Sequence, residues 1–241
     1  MPIRSESDDT VHVLTIERPE RRGALDLDHL EELDAAIAAA AGAGARALVL
    51  TGSDGHFCAG ADLTQLEDVS FTHRLAEVLD RLATLPITTI AAISGSCMGL
   101  GMQLAISCDI RVADETARFA VPAAKLGLMV DAWTIDRLRR FWGEGATRSM
   151  LLTAAVHDID DAWRLGFVQH HGDLASAREL ASGAARLAPL SQACAKLGLE
   201  VGDGVGSADF ERAYERAWSS ADLQEGRRAF AQRRAPEFEG A

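Results

Sequence analysis

Two short apolar runs, each followed at once by a glycine-bearing turn, constrain this chain more than any other feature. Ala47-Leu-Val-Leu-Thr51 is rich in branched residues and closes on Gly52, and Ile87 to Ile93 reads likewise and closes on Gly95. Both predict buried strands. The turns that follow are His-Phe-Cys-Ala-Gly-Ala-Asp-Leu at 56–63 and Ser-Gly-Ser-Cys-Met-Gly-Leu-Gly-Met-Gln at 94–103. Their glycines let the backbone turn tightly and approach a bound group closely. A helix starting after each turn would leave unpaired N–H groups and a positive dipole end aimed at whatever sits there. Two such N–H groups converging on one point would polarise a carbonyl and stabilise an enolate or tetrahedral anion, a contribution of about 3–4 kcal/mol per donor. Two ordinary strand-to-helix turns would give the same pattern, and neither segment matches a P-loop or a G-x-G-x-x-G fingerprint.

The remaining pattern predicts alternation of strand and helix. Val11–Ile16 reads as a first strand and Asp28–Ala41 as a helix ended near Gly42 and Gly44. Strands near 46–51, 87–93 and 109–113 alternate with helical stretches at about 62–84 and 100–107. Ala132–Trp142 has apolar positions at helical spacing (Ile135, Leu138, Trp142). From about Ser176 strand signals vanish, alanine-rich helical periodicity takes over, and Pro189 and the glycines of 198–206 mark breaks.

Charge and cysteine usage narrow the class. With 36 acidic against 24 basic residues, a net charge of −12 argues against a nucleic-acid or anionic-membrane surface. Leu85–Cys108 is uncharged, but its glycines, serines and Pro86 make it a buried strand followed by a short helix, so no membrane span is expected. The opening Met-Pro-Ile-Arg-Ser-Glu-Ser-Asp-Asp has no apolar signal region, and a cytoplasmic location is expected. Cys58, Cys97, Cys108 and Cys194 show no metal spacing, and no metal or cofactor is expected. Cys58 and Cys97 flank the proposed donor pair, where a thiol beside apolar neighbours serves packing more often than nucleophilic attack.

Read together, Glu17-Arg-Pro-Glu-Arg-Arg-Gly-Ala-Leu25, Leu48-Val-Leu-Thr-Gly52, Phe57-Cys-Ala-Gly-Ala-Asp-Leu63, Ala91-Ala-Ile-Ser-Gly95, Cys108-Asp-Ile-Arg-Val-Ala113, Ala117-Arg-Phe119, Lys125-Leu-Gly-Leu128 and Arg234-Ala-Pro-Glu-Phe-Glu-Gly240 resemble the crotonase superfamily of enoyl-CoA hydratases and isomerases. The resemblance covers nearly the whole chain, and Leu152–Gly166 resembles the family's helix-turn-helix segment. It implies an α/β fold: a ClpP-like spiral core of ββα turns over 1–185, and an α-helical C-terminal trimerisation region over 186–241. The ligand implied is a coenzyme A thioester, the assembly a homotrimer or dimer of trimers. Carried over by position, the oxyanion-hole amides fall on Ala61 and Leu100. The loop Arg18–Leu25, with Arg22 and Ala24, would border the adenine and phosphates, and the backbone near Asp62 and Leu63 would contact the adenine. The basic position near the 3′-phosphate falls on Arg233 or Arg234. Arginine suits phosphate because its planar fork bonds two oxygens at once; a solvated helix face is the plain alternative for both arginine clusters.

The departures carry as much information. Hydration in the family uses two glutamates, whose positions are Gln103 and Ala123 here. Adding water across an enoyl thioester needs one group to take a proton and another to give one, each worth on the order of 10²–10⁴ in rate. Neither residue can do so, and hydration is expected to be absent or vestigial. Asp131 stands where some superfamily isomerases and dehalogenases carry a catalytic acid. Facing the thioester from an apolar wall with Trp133 it could shuttle a proton in an isomerase or weak hydratase; otherwise it is the N-cap of the following helix. Dehalogenation would want an aromatic residue at 123 and is not expected.

Gly99-Leu-Gly-Met-Gln-Leu-Ala105 with Lys125-Leu-Gly-Leu-Met-Val-Asp-Ala-Trp-Thr-Ile-Asp-Arg-Leu138 is similar to a subgroup of actinobacterial crotonases that bind long-chain acyl-CoA without hydrating it. That likeness implies delivery of acyl-CoA to the fatty-acid-synthesis enzymes that make mycolic acids. Leu66, Val69, Leu75, Val78 and Leu79 could line an acyl tunnel with Trp133 and Ile135, or form the ordinary core face of an amphipathic helix. His56 and His73 could meet a phosphate, or be plain surface histidines.

Overall fold

Parallel pairing of apolar strands organises the core, as the branched runs require. The computed structural model describes residues 3–65, 70–201 and 207–241. Strands β1 (Ile3–Asp8), β2 (Val11–Ile16), β3 (Ala47–Gly52), β4 (Thr88–Ile93), β6 (Ile110–Ala113) and β8 (His170–His171) form one sheet in the order β1-β2-β3-β4-β6-β8. Only β1 runs antiparallel, on β2. A second, two-stranded parallel sheet pairs β5 (Ser96–Met98) with β7 (Arg118–Ala120). Helices α1 (Leu27–Gly42), α2 (Ser70–Thr84), α3 (Leu100–Ser107), α4 (Ala132–Thr153), α5 (Ile159–Arg164) and α6 (Leu174–Ala185) interleave with the strands. Helices α7 (Pro189–Val201), α8 (Ala208–Trp218) and α9 (Ala221–Gln232) follow.

The strands bury both faces, which is why they read as continuous apolar runs instead of alternating ones. Leu14, Ile16, Leu48, Leu50, Ala91 and Ile93 join the large cluster that includes residues of α1, α2 and α3. Their neighbours Val13, Ala47, Val49, Ile90 and Ala92 pack instead with Ala177, Ala181 and Ala185 of α6. The parallel-rich α/β architecture is the one the sequence predicts.

Several local expectations need correction. The first strand has an unforeseen partner, β1, whose Ile-Arg-Ser-Glu-Ser-Asp is mostly exposed; charge on an edge strand discourages pairing with other chains. The helical stretch expected over 62–84 begins as a short 3₁₀ turn at Leu63–Gln65, and α2 proper starts at Ser70. The helix expected to end at Trp142 continues to Thr153 across a kink at Gly143, where φ is 76°. The helix-turn-helix expected over 152–166 is the end of α4, a left-handed Ala154 and the short α5, whose N-cap Asp158 accepts from the Asp161 amide at 3.0 Å.

The last residues are clasped onto α9. Asp222 accepts from the amides of Glu239 and Gly240 at 2.8 and 3.0 Å, and Glu225 accepts from the Glu237 amide at 3.1 Å while pairing with Arg234 and Arg228. The bond from Arg234 and then the Glu237 amide hold the Glu225 carboxyl at about 2, below its ordinary 4.5. A depressed folded pKa means that the clasp contributes fully above about 4.5 and is lost as pH falls toward 2. Exchange of the Glu237 amide, corrected for intrinsic rates, is therefore expected to lose protection across that window. Glu225→Gln should show the unprotected behaviour already at neutral pH.

Candidate functional site

The two glycine-bearing turns meet. Cys58 donates its amide to the Ser96 carbonyl at 2.9 Å and Met98 donates to the Cys58 carbonyl at 2.9 Å, laying residues 57–59 alongside β5. Beyond it Leu25 forms a parallel bridge to Ala61: Leu25 donates to Gly60 O at 3.0 Å and Asp62 donates to Leu25 O at 2.7 Å. In such a bridge the central residue's own amide points to the opposite edge. The Ala61 N–H accordingly has no acceptor among the described residues. Across from it, Gly99 is the N-cap of α3 at φ 52° and ψ −109°, a conformation open to glycine, and no side chain caps the helix. Its amide is spent on Ala120 O at 2.9 Å, and intrahelical bonding resumes only at Gln103, which donates to Gly99 O at 3.0 Å. The Leu100 N–H, at the first helical position, has no acceptor among the described residues. Close approach depends on Gly101, where a Cβ would lie 2.2 Å from the Cys58 carbonyl oxygen.

Ala61 and Leu100, the residues that carry these amides, both line a cavity of about 180 Å³. Ala59, Gly60 and Ala61 form one wall, Gly99, Leu100 and Gln103 another, Phe71 and Leu75 of α2 a third. The segment 122–130 closes it with Pro122, Ala123, Leu126, Leu128, Met129 and Val130. Among the described residues no acidic, basic or histidine side chain lines it. Larger hollows of about 350 and 570 Å³ lie beside α7–α9, away from the two glycine-bearing turns.

Gln103 is 7% exposed and donates from Nε2 to Thr134 Oγ1 at 2.8 Å. Thr134 in turn donates its amide to Asp131 Oδ1 at 2.9 Å. Of the two readings of Asp131, the structure shows the helix cap: its carboxylate is exposed, caps α4 and does not line the cavity. Nor does Trp133, whose ring lies 4.8 Å beneath the Arg137 guanidinium, or Ile135. Leu75 is a wall as expected, Val78 and Leu79 are core, and Leu66 and Val69 lie outside the described residues. Thr134 and the 126–130 segment were not anticipated as parts of the site. The apolar Leu-Gly-Leu-Met-Val run at 126–130 was the available signal.

The arginines divide into spent and free. Arg18 is consumed internally: it donates to the Ala24 carbonyl at 2.9 Å and pairs with Asp62 at 2.9 Å and Asp26 at 3.3 Å, holding the 18–26 loop against the second turn. Hydrogen bonds from the Thr64 hydroxyl and amide, with Arg18 nearby, keep the Asp62 carboxyl below its usual range. Arg22 is exposed at a left-handed φ of 52° and forms no ion pair among the described residues. Of the expected terminal pair, Arg234 is tied to Glu225, and Arg233 is exposed and forms no ion pair among the described residues. Leu63 is half-exposed and lines the cavity. His56 accepts from the Ser96 amide at 3.2 Å, placing it inside the turn. Burial pushes the free thiols of Cys58 and Cys108 up to about 12 and raises Cys97 as well, which fits packing. Among the described residues no cluster could hold a metal ion, and no helix is long and apolar enough to cross a membrane.

Parallel strands, a second small sheet and a buried helix presenting its N-terminus to an apolar cavity define an α/β protein of crotonase fold. Residues 6–241 match the enoyl-CoA hydratase/isomerase family. A Mycobacterium tuberculosis protein bearing the name probable enoyl-CoA hydratase echA6 is 40% identical over 234 residues, spanning 95% of this chain and 96% of its own. YngF of Bacillus subtilis, whose name gives it as an enoyl-CoA hydratase/isomerase, is 32% identical over 247 residues, with 95% and 94% covered. The solved structure of an enoyl-CoA hydratase/isomerase family protein from Hyphomonas neptunium aligns with a TM-score of 0.92 at 29% identity, covering 100% of this chain and 98% of that one. The chain belongs to the enoyl-CoA hydratase/isomerase family.

Because Gly101 lets α3 rest on the Cys58 carbonyl, Gly101→Ala is expected to destabilise the fold by about 1–3 kcal/mol in urea unfolding. Gly42→Ala, at the end of α1 with nothing within 4 Å of the new methyl, is the contrasting control and should cost nothing.

Proposed function

We propose that the chain binds an acyl thioester of coenzyme A, with the thioester carbonyl oxygen between the amides of Ala61 and Leu100 and the acyl chain in the apolar cavity, and that it does not hydrate this ligand. One observation carries the reading: two residues whose backbone donors have no partner among the described residues line a cavity whose described walls hold no acid. Such donors polarise a carbonyl without taking or giving a proton. Gln103 has no usable pKa, and its amide nitrogen is bound to Thr134; Ala123 has no polar side-chain atom. The resemblance of Gly99–Ala105 and Lys125–Leu138 to actinobacterial crotonases that bind long-chain acyl-CoA supports the finer reading, a binder of long acyl chains in lipid metabolism that serves fatty-acid-synthesis enzymes in the cytoplasm. Exposed Leu126 and Met129 at the cavity offer apolar surface along which a chain could extend. Arg22 and Arg233, exposed and without an ion pair among the described residues, are the cations proposed for the phosphates. Exposed Trp218 and Phe230 on α8 and α9 are apolar surface that further copies would cover in a trimer or dimer of trimers.

Leu100→Pro tests the donor pair, because proline is tolerated at the first helical position while removing the N–H. Against Leu100→Ala, which truncates the side chain but keeps the donor, Leu100→Pro is expected to weaken acyl-CoA binding in calorimetry by about 2–10-fold, the loss of one ordinary hydrogen bond. Equal affinities in the two variants would contradict the placement of the carbonyl. Restoring acids with Gln103→Glu and Ala123→Glu together should bring hydration of a short 2-enoyl-CoA above the rate of the unaltered chain, read by loss of the enoyl absorbance.

A further inference from the structure

Helix α3 carries its free amides at one end and buried positive charge at the other. All of Leu100–Ser107 is buried, and the helix spans about 12 Å at 1.5 Å per residue. At its C-terminus the Ile106 carbonyl accepts from Arg137 Nε at 2.9 Å, and the Cys108 carbonyl from Arg111 Nη1 at 2.9 Å. Arg111 is 2% exposed and Arg137 5% exposed. Burying a charge is costly, and a neutral donor would satisfy a carbonyl equally well. Arg111 forms no ion pair among the described residues; its guanidinium lies 4.3 Å from the Phe141 ring and 5.1 Å from the Phe167 ring, and its Nε donates to Phe167 O. Arg137 pairs with Glu200 of α7. The nearby Asp109 is matched by Lys196 at 2.9 Å. Desolvation lowers Arg111 to about 10, which leaves it charged at neutral pH.

We propose that Arg111 and Arg137 are positioning residues that act through α3 to raise the pull of its amide end on a bound carbonyl, and that Glu200 of α7 sets the strength of that pull by partly neutralising Arg137. The inference rests on the proposed thioester binding. Cations at a helix C-terminus are stabilised by its partial negative charge, and in a buried setting their field reaches the other end with little screening. Removing Arg137's charge and removing Glu200's charge should therefore have opposite effects at the free amides, although both changes break the same ion pair. A purely structural role for that pair would move both variants the same way.

The test is infrared difference spectroscopy of the full chain with dodecanoyl-CoA carrying ¹³C at the thioester carbonyl, with binding measured in parallel. In the unaltered chain the carbonyl stretch is expected below that of the free ligand. Arg137→Gln should return it part of the way and raise Kd about two- to fivefold, whereas Glu200→Gln should move it further down and tighten binding by a similar factor. Arg137→Lys, which keeps the charge, should stay nearer the unaltered chain than Arg137→Gln does. Shifts in the same direction for Arg137→Gln and Glu200→Gln, or no shift in either bound complex, would overturn the proposal while leaving thioester binding intact. If Arg137→Gln fails to fold, Glu200→Gln on its partly exposed site decides alone, an unmoved or raised band refuting the inference. Absence of dodecanoyl-CoA binding to the unaltered chain would overturn the thioester reading and this inference with it.

Discussion

An uncapped helix N-terminus set against an apolar cavity is an arrangement a fold of this kind must accommodate at some cost, because backbone N–H groups without partners away from bulk water are unfavourable. In this molecule that end belongs to α3, and much of its surroundings can be understood as holding it there. Glycine at 99 makes the turn that strips the cap. Glycine at 101 lets the helix rest on the 57–59 segment, which brings the Ala61 amide to the same cavity. Gln103, one turn on, is fixed sideways to α4 through Thr134. A ligand oxygen at the two amides would relieve the cost, and so the site is best read as made for one.

The charges around the site are arranged with similar economy. An acidic chain proposed to bind a polyanionic coenzyme must supply positive charge locally, and several arginines that looked available are already engaged. Arg18 holds the first loop to Asp62, Arg234 holds the terminal tail to Glu225, and Arg111 and Arg137 sit behind α3. Arg22 and Arg233 are left exposed, each at a residue with left-handed backbone. Binding in this account comes from fixed backbone donors and a few free cations, and the missing acids separate it from hydration.

The strands of the core, α3 and both glycine turns were legible because each rests on local chemistry: branched apolar runs, and glycines where the backbone leaves ordinary conformations or must be approached closely. The edge strand β1 was not, since Ile-Arg-Ser-Glu-Ser-Asp owes its strand conformation to backbone pairing with β2, which leaves no apolar pattern. The continuation of α4 past Trp142 was hidden behind Gly143, where the helix kinks and resumes. Asp131 was legible only as two alternatives, because capping and acid catalysis ask for the same residue type and only position separates them. The fate of Arg18 and Arg234 depends on carboxylates that loop closure and tail packing bring near, which spacing along the chain does not show.

Mass spectrometry in heavy water of saturated and 2-enoyl-CoA ligands of graded chain length, run beside a competent hydratase, tests the central claim most directly. Hydration, thioester cleavage and proton exchange each leave a distinct mass. Bound ligands recovered with unchanged mass are the result this account predicts. Ligand converted above the protein-free rate would contradict it, and exchange abolished by Asp131→Asn with binding intact would make the chain an isomerase.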